Sequence, residues 1–270
     1  MLTSQQLAAY DRDGYVVVPG LVAEQACERM CARIWDALEA VHGIRQGEPD
    51  TWTQSMPRGL QDLCKSDGLA ELAAPAFLEA VDDLLGAGQW DAPAHWGGPL
   101  PNFPSRSPWN VPFRMWHLDY PVRGNYGTRF ATKAICALAP IVPQGGGTVL
   151  IERSHRLCQL RAEAAPGGNV GGSSEIRKQL AAESDWFDAL MSAGDPAERI
   201  QRFMVDGIEI DGTRLRVVEF SANPGDVLFF HPWLFHNSSP NCSDAARMQV
   251  GQNLTTRAGL SIYAKGGSDT

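Results

Sequence analysis

The chain has 270 residues, of which 44% are hydrophobic and 20% charged, and this balance excludes a disordered or fibrous protein. Its formal net charge of -8, without any run of Lys or Arg, excludes the basic surface that nucleic acid requires. No stretch reaches the roughly 18 apolar residues that cross a membrane, and the six cysteines are irregularly spaced. We therefore expect a cytoplasmic protein with reduced thiols and no membrane or nucleic-acid partner.

The N-terminal residues predict mainly helices. Thr3 and Gln6 fit a capping box that begins a short helix, and residues 15–18 form a short β-branched strand. Apolar residues recur every three or four positions over 22–41, which predicts a long helix that faces the core. A second helix is predicted over 68–85. The segment 86–112 is dense in Gly, Pro and Trp, and we expect it to be irregular.

From residue 113 onward, short β-branched and aromatic segments alternate with turn signals. The predicted strands are 113–120, 132–139, 148–152, 214–220, 226–230 and 246–254. This pattern predicts a mainly β fold with flanking helices, in the form of a β-sandwich or jelly roll.

We expect one domain over 1–270. Residues 1–112 would cover it, 113–160 and 208–260 would supply the jelly-roll strands, and 161–207 would be an insertion. The insertion begins with a Gly- and Ser-rich stretch and continues as a helix from about residue 175 to 191, which is typical of a lid.

The segment 114–120, Arg-Met-Trp-His-Leu-Asp-Tyr, carries the most informative residues. On a strand, His117 and Asp119 point to the same face, because side chains alternate between the two faces. Two imidazoles and one carboxylate form the facial triad that binds non-haem Fe(II). His231 and His236 are the candidates for the missing histidine. The alternative is that these histidines are ordinary core or surface residues.

Arg247 lies on the strand predicted after His236. A guanidinium that faces into a barrel needs an acidic partner, and its geometry matches a carboxylate in bidentate fashion. An exposed strand arginine is the alternative.

Taken together, these residues resemble the phytanoyl-CoA dioxygenase family. The resemblance includes Asn-Pro-Gly-Asp at 223–226, Gly-Gly-Gly-Thr-Val-Leu-Ile-Glu-Arg-Ser-His-Arg at 145–156, and the N-terminal segment 10–20, so it spans nearly the whole chain. It implies a double-stranded β-helix core, a cupin-like jelly roll. It also implies an enzyme that uses Fe(II), 2-oxoglutarate and O2.

The resemblance also assigns roles to individual residues. It implies that His117, Asp119 and His236 hold the iron. Arg247 would bind the distal carboxylate of 2-oxoglutarate, helped by Ser238, which lies two residues after the ligand histidine. Thr148 is a further candidate for contact with 2-oxoglutarate.

Three other charged or titratable residues lie within or close to these motifs. Arg114 could reach the other carboxylate of 2-oxoglutarate or an acidic group of the substrate, although strict alternation from His117 points it away. His231 lies an odd number of residues from His236, so we assign it to the outer layer. His155, in a predicted Ser-His-Arg turn, matches a structural position of the family.

The implied reaction is hydroxylation, desaturation or cyclisation of a small organic molecule, with release of succinate and CO2. Several tryptophans of the N-terminal half lie in segments expected to cover the barrel mouth, which favours an apolar or ring-bearing substrate such as a secondary metabolite. The alternative, which is the more common case, is that these tryptophans are core residues. Two alternatives stay open. One is a metal-dependent cupin-type isomerase or dioxygenase that does not use 2-oxoglutarate, and the other is a noncatalytic small-molecule binder.

Overall fold

A computed structural model describes residues 1–124 and 129–260. The helices are α1 (Ser4–Asp13), α2 (Glu24–His42), α3 (Gln61–Lys65), α4 (Pro75–Leu85), α5 (Ser154–Ala164), α6 (Ser173–Glu183), α7 (Asp185–Leu190) and α8 (Pro196–Ile200). The strands are β1 (Tyr15–Val18), β2 (Gly98–Asn102), β3 (Val122–Arg123), β4 (Ala131–Ala137), β5 (Thr148–Ile151), β6 (Asn169–Gly171), β7 (Ile208–Ile210), β8 (Thr213–Leu215), β9 (Val217–Glu219), β10 (Val227–Phe230), β11 (His236–Ser238) and β12 (Arg247–Thr255). No described helix has the length and apolar character needed to cross a membrane.

Two antiparallel sheets form the core. The larger has five strands in the order β1-β10-β4-β12-β2, and the smaller has three in the order β11-β5-β9. Apolar side chains of β4 and β10 share a buried cluster with Leu150 of β5, so the two sheets pack against each other. This arrangement confirms the jelly-roll core with flanking helices. Helices nevertheless contain more residues than strands, about 39% against 22%.

The larger sheet has different partners on its two faces because side chains alternate along each strand. On β4, Ala134 and Cys136 pack against the N-terminal helices, whereas Ile135 and Ala137 face the smaller sheet. The strand β12 follows the same rule. Its Met248 and Val250 face the helices, which leaves Arg247 and Gln249 on the interior face. The N-terminal helices and the sheet thus share one hydrophobic core.

The N-terminal predictions agree with the structure in most respects. Thr3 and Gln6 form the predicted capping box, the predicted strand is β1, and the first long helix is α2. The helix predicted over 68–85 is wrong in its first half. A short 3-10 turn, Ala70–Ala73, ends there, and Pro75 begins α4 as a new helix, since proline fits the first turn of a helix. The segment 86–112 also contains a strand, β2.

Residues 113–120 do not form the predicted strand. His117 makes a single isolated bridge to His236, and the rest of the segment is irregular. Met115 has a φ of 64°, in the left-handed region that strands do not use. Pro112 and Pro121 flank the segment, and proline provides no N–H for a sheet. The Ser-His-Arg turn at residue 154 is likewise the start of α5.

The insertion 161–207 is folded onto the barrel. Its helical residues form two helices, α6 and α7, which separate at Ser184, and α8 follows. Trp186 and Phe187 are buried in one apolar cluster with Trp116. Arg199 lies next to this cluster and is 5% exposed.

The buried Arg199 guanidinium ties the insertion to the chain that precedes the predicted metal ligands. It donates to the Asn110 side chain, to the carbonyls of Val111 and Pro112, and to three carbonyls of the insertion itself. Burial lowers the pKa of Arg199, and carbonyl acceptors on several sides compensate the buried charge.

Replacement of Arg199 with methionine is expected to lower the free energy of unfolding by about 3 kcal/mol or more, because it leaves several buried carbonyls without donors. Urea unfolding followed by tryptophan fluorescence would measure the loss. Arg202→Met is the matched control, since Arg202 is exposed and, within the part of the chain that the structure describes, donates to a single carbonyl, that of Asp185. Equal losses in the two variants would contradict the anchoring role of Arg199.

Candidate metal centre and cavity

His117 and His236 come together through their backbones. The amide of His117 donates to the carbonyl of His236 at 3.2 Å, and the amide of His236 donates back to the carbonyl of His117 at 3.1 Å. Asp119 is fixed beside them, since its amide donates to the carbonyl of Pro232 at 3.0 Å. These main-chain bonds place three potential ligands in register without requiring a regular strand at 113–120.

The two histidines present the same ring nitrogen to the centre. In His117, Nδ1 lies 2.9 Å from the carbonyl of Met115, and in His236, Nδ1 lies 3.0 Å from the carbonyl of Leu234. A carbonyl can only accept, so each Nδ1 carries the proton and each Nε2 is free to bind a metal. One ligand atom from each of His117, Asp119 and His236 lies within 4.8 Å of the other two. Two imidazole nitrogens and one carboxylate oxygen are the donor set of non-haem Fe(II) sites, so these residues fit such an ion.

The electrostatics of the centre also suit a cation. Burial lowers the pKa of His236 to about 3, which keeps its imidazole neutral, as a metal ligand must be. Burial alone would raise the pKa of Asp119, but the neighbouring His236, Lys133 and His117 outweigh that effect and hold it below the ordinary value. Asp119 is therefore a carboxylate.

Lys133, on β4, is a residue of this site that the sequence analysis missed. Its Nζ lies 3.2 Å from the carboxylate of Asp119, and its side chain is only 19% exposed. Lysine is seldom buried unless it is paired. A single lysine within the apolar segment that became β4 was the signal that could have identified it.

The two histidines of the triad line a cavity of about 470 Å³, a size typical of small-molecule sites, and Asp119 adjoins them. Interior residues of both sheets line it, and segment 56–64 and β2 form its outer part. No tryptophan is among the described lining residues, so the expected aromatic mouth is wrong. Trp52, for example, packs in the core against Trp35 and Phe103. The insertion 161–207 also contributes no lining residue.

Arg247 also lines this cavity and has no acidic partner among the described residues. It is 4% exposed, and four of its five N–H groups donate to neutral acceptors. Nε donates to Gly146 O at 2.8 Å, Nη1 to Leu100 O at 2.7 Å and to Gln249 Oε1 at 2.6 Å, and Nη2 to Ser238 Oγ at 2.7 Å. Burial lowers the pKa of Arg247 to about 9. A buried cation without a counter-ion favours an anionic ligand.

Ser238 contacts Arg247, and Thr148 lies next to Ser238. They are directly paired on adjacent strands, β11 and β5, and both line the cavity. The glycines before Thr148 permit this close packing. Gly146 has a φ of 80°, and a Cβ there would lie 2.7 Å from Asn102 Nδ2, which itself donates to Ser238.

Arg114 does not reach the cavity. Its side chain is exposed, and its guanidinium lies 5.3 Å from the centre of the Phe113 ring. The predicted contact of Arg114 with 2-oxoglutarate or substrate is therefore wrong, and the left-handed backbone at Met115 shows that strand alternation does not apply to this segment. His231 also lies outside this cavity, but it is buried rather than in an outer layer, because its ring packs against Phe130 and His155.

The insertion supports the backbone on both sides of His117. Arg177 Nη1 donates to the carbonyl of Trp116 at 2.8 Å. The Ser173 hydroxyl accepts from the amide of Leu118 at 2.9 Å and lies 3.1 Å from the Leu118 carbonyl. The sequence offered no signal for these contacts, because they depend on how α6 packs against an irregular segment.

His155 is structural, and we expect it to make stability depend on pH. Its Nε2 lies 3.3 Å from Asp11 O, its Nδ1 has no hydrogen-bond partner among the described residues, and burial lowers its pKa to about 4. The unfolded chain, with a histidine pKa of about 6.5, takes up the proton first. Stability from this residue is therefore complete above about pH 6.5 and falls as the pH drops toward about 4.

Between about pH 7.5 and pH 5, the wild type should lose about 2 kcal/mol more unfolding free energy than His155→Gln. Urea unfolding at the two pH values measures the difference. His95→Gln, which removes an exposed imidazole, should lose as much as the wild type. If His155→Gln also matches the wild type, the buried neutral imidazole does not control the acid sensitivity.

Comparison of the chain with known proteins identifies its family. The family model described as phytanoyl-CoA dioxygenase matches residues 10–249. No curated protein sequence matches the chain.

Three solved structures illustrate the similarity. They are the non-heme alpha ketoglutarate dependent carbocyclase SnoK from nogalamycin biosynthesis (17% identity, 94% of this chain and 84% of that chain, TM-score 0.53), HygX from Streptomyces hygroscopicus with nickel and 2-oxoglutarate bound (18%, 95% and 88%, 0.54), and AviO1 from Streptomyces viridochromogenes Tue57 (16%, 96% and 98%, 0.55). At these identities the structural likeness establishes the fold, whereas the family match covers most of the chain and carries the enzyme class. The chain belongs to the phytanoyl-CoA dioxygenase family and is an Fe(II)- and 2-oxoglutarate-dependent oxygenase.

Proposed function

We propose that this protein hydroxylates, desaturates or cyclises a small organic molecule, a secondary metabolite, and releases succinate and CO2. His117, Asp119 and His236 would hold Fe(II), and Arg247 with Ser238 and Thr148 would bind the distal carboxylate of 2-oxoglutarate. The observation that carries the proposal is one cavity with two features: a cluster of two imidazoles and a carboxylate, and a buried guanidinium that lacks an anion.

When bound, iron, 2-oxoglutarate and O2 supply the oxidising chemistry at a substrate C–H bond. The protein's own residues orient the reactants and exclude water. His117 and His236 are held as Nε2 ligands by backbone carbonyls, and the sheet interior shields Arg247 from solvent. A fixed, dry site of this kind strengthens charge pairing and holds the substrate close to the metal.

Arg247 also favours the proposal over its alternatives. A cupin-type enzyme that does not use 2-oxoglutarate has no need for a buried cation without an acidic partner in the cavity of the metal ligands. A noncatalytic binder does not need three convergent metal ligands. The structures of HygX with nickel and 2-oxoglutarate, and also with hygromycin B, support a small-molecule substrate and 2-oxoglutarate for this chain. The similar structures include a carbocyclase and an epimerase, and this supports a range of possible reactions that extends beyond hydroxylation.

The charges of the cavity favour a substrate with an acidic group. No carboxylate is among the described lining residues, although Asp119 lies beside His236 and pairs with Lys133. The charges of iron and 2-oxoglutarate would cancel, and Asp119 offsets only one of the two cations Lys133 and Arg247, so one positive charge remains in excess. At the rim, exposed Arg58 adds a second cation, and Met56 and Leu100 add exposed apolar surface. We therefore propose a substrate that combines an apolar skeleton with a carboxylate or another acidic group.

Substrate-stimulated consumption of 2-oxoglutarate would test this preference. A panel of alicyclic and aromatic carboxylic acids should stimulate consumption, and their methyl esters should not. Equal stimulation by acids and esters would contradict the role given to Lys133 and Arg58.

Anaerobic titration of the protein with Fe(II) and 2-oxoglutarate tests the proposed activity itself. We expect a visible metal-to-ligand charge-transfer band, and release of succinate on exposure to O2. Binding of Fe(II) without a band at any 2-oxoglutarate concentration would favour the cupin-type alternative.

We further propose a cytoplasmic location, which is supported by the free state of all six cysteines.

A further inference from the structure

Gln249 is a buried residue of the cavity wall whose side-chain oxygen is hydrogen-bonded and whose side-chain nitrogen is not, among the described residues. It lies two residues after Arg247 on β12, so both side chains are on the interior face, and it is 0% exposed. Its Oε1 accepts from Arg247 Nη1 at 2.6 Å and lies 3.4 Å from Thr148 Oγ1. Its Nε2 has no hydrogen-bond partner among the described residues. Buried amide nitrogens are nearly always paired, so this one lacks an acceptor that a ligand could supply.

The orientation of the Gln249 amide follows from the chemistry of its neighbour. Arginine has five N–H donors and no acceptor. The amide atom that faces Arg247 must therefore be the oxygen, which directs the nitrogen to the other side. Because Gln249 also lines the cavity, this free donor belongs to the same wall as Arg247, Ser238 and Thr148.

Arg247 by itself cannot donate two hydrogen bonds to a bound carboxylate. Four of its five N–H groups already donate to Gly146, Leu100, Gln249 and Ser238. One N–H on Nη2 remains. Ser238 adds a second donor, because its Oγ accepts from Arg247 and from Asn102, which leaves the hydroxyl hydrogen free. A carboxylate with two oxygens can accept more hydrogen bonds than these two groups provide.

We infer that Gln249 is a positioning residue that determines specificity for the co-substrate: its Nε2 donates a hydrogen bond to the distal carboxylate of 2-oxoglutarate. This inference rests on the proposed function. Arg247 supplies the charge, the Ser238 hydroxyl and Gln249 Nε2 supply the remaining hydrogen bonds, and Gln249 Oε1 holds Arg247 in place. The site thereby selects a 2-oxo acid that carries a second carboxylate.

Two substitutions separate this role from a general role in packing. Gln249→Met keeps the approximate size of the side chain but removes both the donor and the acceptor. Gln249→Glu keeps the contact with Arg247 but places an anion where the distal carboxylate would bind. The control is Gln252→Met, since Gln252 lies on the same strand but bonds to Gly97 and to the Asn253 carbonyl.

The experiment is an anaerobic titration of each Fe(II)-loaded protein with 2-oxoglutarate and, separately, with 2-oxobutyrate, which lacks the distal carboxylate. The charge-transfer band measures binding, and the change in Tm with Co(II) and each acid gives a second readout that needs no turnover. For 2-oxoglutarate, we expect Gln249→Met to raise Kd about tenfold or more, and Gln249→Glu about 100-fold or more. The Kd for 2-oxobutyrate should change by less than about threefold in both variants.

Wild-type affinity for 2-oxoglutarate in Gln249→Met would overturn the inference, and so would an equal loss for both acids. The proposed function fails in a different way: the wild type itself would give no band and no Tm increase with 2-oxoglutarate.

Discussion

Asp119→Asn is expected to weaken Fe(II) binding by at least about 100-fold, since changes to residues that merely orient metal ligands already cost about 10- to 100-fold. The substitution preserves shape but replaces the only anionic ligand of the triad with a neutral amide. Lys133, 3.2 Å from the carboxylate, then adds an unopposed positive charge beside the ion. Anaerobic competition with a chelating dye measures the affinity, and Co(II) provides a redox-stable check.

The control for Asp119→Asn is Asp13→Asn. Asp13 is also a buried carboxylate, but it pairs with Arg12 and Arg153 outside the cavity. Its loss should reduce stability and leave Fe(II) affinity unchanged. Metal affinity of Asp119→Asn within about threefold of the wild type would mean that the carboxylate is not a ligand.

Replacement of Arg247 should strongly weaken the binding of 2-oxoglutarate. Loss of one partner of a buried charged hydrogen-bonded pair costs about 2–5 kcal/mol, so Arg247→Lys should raise Kd by about 30-fold or more. Lysine keeps the charge but cannot reproduce the fork that reaches Ser238, Gly146 and Gln249 at once. Titration with 2-oxoglutarate measures the loss, and 2-oxobutyrate should bind almost as well as to the wild type.

Fe(II) affinity and circular dichroism would show whether Arg247→Lys is folded. Arg257→Lys is the matched control, because Arg257 follows β12 and forms an exposed pair with Asp91. An unchanged Kd for 2-oxoglutarate in Arg247→Lys would remove the main argument for this co-substrate over the cupin-type alternative.

The sequence predicted the interior residues of regular strands well. Ser238 and Arg247 lie on β11 and β12, where the alternation of side chains is strict. Gln249 obeys the same alternation but was missed, since a neutral amide does not stand out in a search for charged or metal-binding residues. Lys133 was missed because the charge pairing that permits its burial comes from Asp119, on a different segment.

Other predictions depended on how segments pack, which local patterns do not encode. The pattern at 113–120 favours a strand, but flanking prolines and the left-handed backbone at Met115 prevent it. His117 and Asp119 still converge because backbone bonds to His236 and Pro232 hold them. The length and composition of 161–207 indicated an insertion, but not that Arg177 and Ser173 would support the loop of the metal ligands.

Backbone hydrogen bonds in both directions join His117 and His236, although the whole insertion and most of the smaller sheet lie between them in the chain. Contacts between such distant segments form late in folding, because closing a long loop costs entropy before the contact gives any stabilisation. A newly made chain therefore has no complete iron-binding geometry until the two halves of the barrel have met. We expect iron to enter a finished site and to stabilise it by mass action, rather than to act as a nucleus for the fold.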